Sequence, residues 1–121
     1  MGYEVEFYIK ENGDIPIMDF LLSLQPKLRA KAYSEIELLK KHGPVLREPY
    51  VKSLKGKENK GIYELRIKFS SDISRIFYFS FQDSTYVLLN GFIKKTNKTP
   101  DRELERARKY KADYESRCRD E

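Results

Sequence analysis

Gly61-Ile62-Tyr63-Glu64-Leu65-Arg66-Ile67-Lys68-Phe69 alternates apolar and polar side chains at a period of two. That period belongs to a β-strand whose two faces meet different surroundings. Tyr63, Leu65, Ile67 and Phe69 form the inward row, and Glu64, Arg66 and Lys68 the outward one. Ser70-Ser71-Asp72 turns the chain. Arg75 to Phe81 is then almost wholly apolar or aromatic after its first residue, as expected of a central strand covered on both faces. Gln82-Asp83-Ser84 makes the next turn, and Tyr86 to Ile93 gives a further strand. Turns this short dictate an antiparallel meander.

Upstream, Tyr3, Val5, Phe7 and Ile9 alternate with Glu4, Glu6 and Tyr8, which predicts a half-buried strand. After a turn at Glu11-Asn12-Gly13-Asp14, Asp14 is placed to cap a short helix with Pro16 in its first turn. A second helix is expected from about Pro26 to His42. Leu28, Ala32, Ile36 and Leu39 face inward, while Lys27, Arg29, Lys31, Glu35 and Lys40 take the wet side. Gly43 suits a left-handed C-cap, and Pro44 prevents continuation. Downstream, Thr99 and Pro100 open a last helix with a stripe of Leu104, Ala107, Tyr110 and Tyr114. The expected fold is α+β in the order βααβββα, an antiparallel sheet packed by an N-terminal helix hairpin with a C-terminal helix. One domain spans residues 1–121.

Charge is unevenly distributed. Residues 52–98 hold ten Lys/Arg against four Asp/Glu, whereas 1–51 hold seven against eight and 99–121 seven against seven. The whole excess of +5 therefore comes from the strand-rich centre, which favours a polyanionic partner. One cysteine, Cys118, and one histidine, His42, exclude an internal disulfide and a Cys/His metal centre. His42 ends a helix, where it is expected to offset the dipole. No apolar run reaches the ~20 residues of a membrane span, so a cytoplasmic protein without membrane contact is expected.

Several segments carry a family signature. They are Pro16-Ile17-Met18-Asp19-Phe20-Leu21, His42-Gly43-Pro44, Lys52-Ser53-Leu54-Lys55-Gly56, Gly61 to Arg66, and Arg75-Ile76-Phe77-Tyr78-Phe79. Leu89-Asn90-Gly91-Phe92-Ile93-Lys94-Lys95-Thr96 and Lys98-Thr99-Pro100 complete it. In order and spacing the chain resembles the RelE/ParE superfamily of bacterial toxins, in its HigB-like, phage-derived Gp49-like branch. The resemblance implies the toxin of a type II toxin–antitoxin pair, a ribosome-dependent mRNA endoribonuclease. It further implies a cognate HigA-like antitoxin with a helix-turn-helix domain, and operator DNA bound only through that antitoxin. Relatives of the ParE type share the fold but act on DNA gyrase, and an inactive toxin kept as an antitoxin-binding module is a third reading.

RNA is cut without a metal or cofactor when its 2′-hydroxyl attacks the adjacent phosphate. That step needs a base, cations for the developing charge and an acid for the leaving oxygen. Arg66, on the polar face of its strand, and Arg75, opening the next, are the expected phosphate ligands. Lys94 is the leading base, because crowding by like charges lowers a lysine pKa; Glu64 or a tyrosine are the other candidates. Lys68, Lys95, Lys98, Lys55 and Lys57 are expected to bind RNA. Structural uses compete: Glu64 and Arg66 can pair with a neighbouring strand, Arg75 can satisfy a carboxylate, and the 55–60 loop can simply be solvated.

Overall fold

The computed structural model describes residues 3–46, 48–70, 72–94 and 98–119, without the side chains of Asp72 and Arg119. The elements are β1 (Glu4–Phe7), α1 (Pro16–Ser23), α2 (Pro26–His42), β2 (Val51–Ser53), β3 (Ile62–Phe69), β4 (Asp72–Phe81), β5 (Thr85–Lys94) and α3 (Asp101–Arg119). The sheet order is β1-β5-β4-β3-β2. The meander β3-β4-β5 is antiparallel as its short turns require, and β4 is the central strand. The sheet is mixed rather than antiparallel throughout, because β1 runs parallel beside β5 with Phe7 opposite Leu88. The α1–α2 hairpin separating β1 from the meander makes room for that crossover. The short edge strand β2 pairs with β3 and was not expected. Its three residues are too few for a period to show.

Both faces of the sheet are covered. Against the helix hairpin pack Leu65, Ile67, Ile76, Tyr78, Tyr86 and Leu88, joined by Ile17, Leu21, Leu28 and Leu39. Against α3 pack Ile62, Phe77, Phe79, Val87, Leu89 and Phe92, with Ala107 beneath the helix. Double coverage reverses one expectation about β1. Tyr8, assigned to the polar side, is buried in the α3 layer, where it stacks on Tyr110 and donates to Asp113 at 2.5 Å. Ile9 is exposed instead. Burial and Asp113 together push the Tyr8 phenol up to about 12.

Three further details depart from the sequence reading. Asp14 does not cap α1. Its backbone and carboxylate engage Asn12, and Ile15 precedes Pro16 with no side-chain cap. The other end of α1 is closed by Arg29, whose fork donates to the carbonyls of Leu21, Leu22 and Leu24. Glu35, assigned to the wet side of α2, is buried and paired with Lys31 at 2.9 Å. Pro100 precedes α3 rather than entering it, and its carbonyl accepts from Glu103 and Leu104. Gly43 does take a positive φ of 49° after α2, and its N–H reaches the Leu39 carbonyl.

Gly91 explains how tightly α1 lies on β5. A Cβ there would meet the Phe20 ring at 2.5–2.9 Å, and that ring is held between helix and sheet. Gly91→Ala is expected to lower stability by ~1–3 kcal/mol through overpacking, seen as a lower urea midpoint with an unchanged m value.

Candidate RNA-cleaving site

The α3-facing surface of the sheet continues beyond the start of that helix. Asn90 marks the boundary: its Nδ2 donates to the carbonyl and Oε1 of Glu103, both at 3.1 Å. Phe92 leans on Phe77 with ring centroids 5.3 Å apart, closing the apolar layer. Past these rings the same face turns cationic. Arg66 lies directly opposite Arg75 across β3 and β4, so their side chains leave the sheet on one side. Lys94 is two residues on from Phe92, itself opposite Arg75, and Lys52 lies opposite Glu64. Four adjacent strands thus contribute Lys52, Glu64, Arg66, Arg75 and Lys94 to one patch.

Within the patch the charges differ in depth. Arg75 and Glu64 are each only 4% exposed, and Arg75 Nη1 donates to Glu64 Oε1. Arg75 Nε has no hydrogen-bond partner among the described residues. Burial lowers the Arg75 pKa most, with Arg66 acting in the same direction and Glu64 opposing. The guanidinium nonetheless stays protonated. Of the two expected phosphate ligands, Arg75 thus takes up the competing structural use, satisfying a carboxylate. Glu64 is locked to Arg75 below the surface, while Arg66 and Lys94 are half-exposed and Lys52 and Lys68 exposed.

Lys94 feels the crowding directly. Its pKa is lowered by burial first, then by Arg75, Arg66 and Lys52, with Glu64 opposing. A lysine so placed holds more neutral amine near physiological pH than a solvated one. Beside Arg66, a cavity of about 340 Å³ is lined by Lys31, Glu35, Pro49, Tyr50, Arg66, Lys68 and Ile73. It opens where β2 has ended and Arg66 N–H reaches back to the Tyr50 carbonyl at 2.8 Å. Glu35 Oε2 has no partner there among the described residues.

The remaining RNA-binding candidates are less united. Lys68 shares the face and cavity wall of Arg66. Lys55 and Lys57 are exposed but belong to a pinned loop rather than a freely solvated one. Asn59 Nδ2 donates to the Lys55 carbonyl, and Arg108 donates to Asn59 Oδ1 at 2.7 Å, tying a 3₁₀ turn at Lys57–Asn59 to α3. Lys98 is exposed just ahead of α3, and Lys95 lies outside the described residues. Lys52 was missed as a site residue. Only the pairing of β2 with β3 brings it to Glu64, and that pairing has no signal in three residues. Among the described residues no group of three His, Cys, Asp and Glu could hold a metal ion, and no helix is long and apolar enough to cross a membrane.

A family model described as Phage derived protein Gp49-like (DUF891) matches residues 19–112. The archaeal RelE–RelB complex from Pyrococcus horikoshii OT3 contains a chain similar in structure, with a TM-score of 0.51 at 21% identity. The likeness covers 82% of this chain and all of that one, and it speaks for the fold. No curated protein matches.

The buried pair yields a stability test. Glu64→Gln leaves the Arg75 guanidinium buried without its counter-charge and is expected to cost ~3–5 kcal/mol. The double variant Glu64→Leu/Arg75→Met, which removes both charges, is expected to lose less than Glu64→Gln alone, measured by denaturant unfolding.

Proposed function

The chain belongs to the phage-derived Gp49-like family, within the RelE/ParE toxin superfamily, and on that premise we propose that it is a metal-independent mRNA endoribonuclease acting in the cytoplasm on the translating ribosome. The observation that carries the reading is the convergence of Arg66, Arg75, Lys94 and Lys52 on one sheet face, where burial first and the neighbouring cations next lower the Lys94 pKa.

In this mechanism Arg66 grips a non-bridging oxygen pair of the scissile phosphate with its planar fork. Neutral Lys94 takes the proton of the 2′-hydroxyl, whose oxygen attacks phosphorus. The bond to the 5′-oxygen breaks, leaving a 2′,3′-cyclic phosphate, and the departing oxygen takes a proton from solvent. Arg75 lies under the reacting centre. It stabilises the extra negative charge of the pentacoordinate state through a short, low-dielectric path and depresses the Lys94 pKa. Glu64 holds Arg75 in place, so in this assignment it is a positioning residue rather than the base. Lys68, Lys52, Lys95, Lys98, Lys55 and Lys57 bind the RNA on either side of the cut. A HigA-like antitoxin with a helix-turn-helix domain neutralises the toxin, and the complex meets operator DNA only through that partner.

Arg66→Ala and Lys94→Ala are each expected to abolish growth arrest on induction and to lower mRNA cleavage ~10²–10⁴-fold, with the far-ultraviolet circular dichroism unchanged. Because the neutral amine is the base, cleavage should climb about tenfold per pH unit below the Lys94 pKa and level off above it. Lys94→Arg, charged at every accessible pH, should lose both the activity and the slope. Full toxicity in Arg66→Ala and Lys94→Ala, or DNA damage in place of cleaved transcripts, contradicts the assignment.

A further inference from the structure

The opposite, hairpin-covered side of the sheet has its own opening, with the opposite chemistry. Beyond the end of α2, a cavity of about 580 Å³ is lined by Tyr63, Tyr78 and Tyr86, with Glu48 and Asp83 also in its wall. The rings form a continuous ladder. Tyr63 stacks on Tyr78 at 5.7 Å and 27°, Tyr78 meets Tyr86 edge-on at 5.7 Å, and Tyr86 meets Tyr3 at 5.6 Å. Gly43 holds the far end, since a Cβ there would meet the Tyr3 ring at 2.4 Å.

Two features of this cavity ask for an occupant. Tyr78 and Tyr86 are 3% and 6% exposed, yet neither hydroxyl forms a hydrogen bond among the described residues. Their rings are buried while both residues line the cavity, where an occupant can meet the phenol oxygens. The second feature is charge. In a chain of net charge +5, this wall holds the carboxylates of Glu48 and Asp83. Lys52 also borders it, so the wall sets two carboxylates against one ammonium. Burial raises the phenols of Tyr78 and Tyr86, so they remain neutral donors and acceptors. Asp83 bears on Tyr86, which places that carboxylate against the ladder.

We infer that this tyrosine-lined cavity is a receptor for an arginine side chain presented by a protein partner. A planar guanidinium stacks on the half-exposed Tyr63 ring, offers one fork to the Asp83 or Glu48 carboxylate and meets the unpaired phenol oxygens. A phosphate-bearing group is disfavoured by the same two carboxylates. A lysine fits less well, since its compact ammonium cannot lie flat on a ring while bridging to a carboxylate. The site lies on the other side of the sheet from Arg66 and Lys94, so an occupied cavity leaves the cationic patch open.

The test uses the full chain with ¹³C-labelled tyrosine rings, titrated by NMR with N-acetyl-arginine amide. Saturable shifts of Tyr63, Tyr78 and Tyr86 are expected, with the neutral isostere N-acetyl-citrulline amide and adenosine monophosphate giving little. Asp83→Asn, which an asparagine tolerates at the positive φ of 59°, combined with Glu48→Gln should weaken the arginine response about tenfold or more. Tyr63→Leu, at an exposed ring, should do likewise with the far-ultraviolet circular dichroism unchanged. Equal shifts with citrulline amide, preference for the nucleotide, or no saturable response overturns the inference. None of these outcomes depends on whether the chain cleaves RNA.

Discussion

The arrangement of the cationic face rests on one buried contact, the ion pair between Arg75 of β4 and Glu64 of β3. Two charges taken this far from water need each other, because removing either leaves the other uncompensated. Their pairing fixes where the Arg75 guanidinium sits, and Arg75 in turn sets the field around Lys94 and Arg66. A buried pair is weak evidence for stability, as two apolar side chains could fill the same space. Its retention at the edge of the α3 layer, facing three further cations, is more naturally a matter of electrostatics than of folding.

The fold provides the platform for that field. Phe77 and Phe92 close the apolar layer under α3, and Asn90 anchors the helix start, so the sheet surface beyond is left bare on one side. The strand register then does the assembling. Arg66 and Arg75 are brought together because the register of β3 on β4 sets them opposite one another, and a one-residue slip of either strand would turn its arginine towards the helix hairpin. The rigid sheet lets cations be held near one another without each paying separately for order, which loop-borne lysines cannot do.

Much of this was legible in the sequence, and the misses share a cause. The meander, both hairpin helices and the positive-φ Gly43 follow from period and punctuation, which are local. The polar-face position of Arg66 follows from the same alternation, whereas Lys94, read as lying past the strand, joins that face because β5 runs on to include it. What failed was anything decided by a distant partner. Tyr8 reads as polar-facing until α3 covers it; Glu35 reads as solvated until the sheet edge reaches it; Lys52 reads as loop until β2 pairs. Arg75 shows the limit most clearly. Its strand position was readable, but its burial against Glu64 depends on cross-strand geometry that no single strand reveals.

The central claim is that burial and, after it, neighbouring cations depress the Lys94 pKa, and it is measured most directly by following the Lys94 side-chain ¹³C and ¹⁵N resonances through a pH titration. The account predicts that Lys94 titrates below the other lysines, and that Arg66→Gln moves it back towards the ordinary lysine value by removing one of the charges acting on it. A Lys94 that titrates with the rest and does not respond to Arg66→Gln would contradict the account.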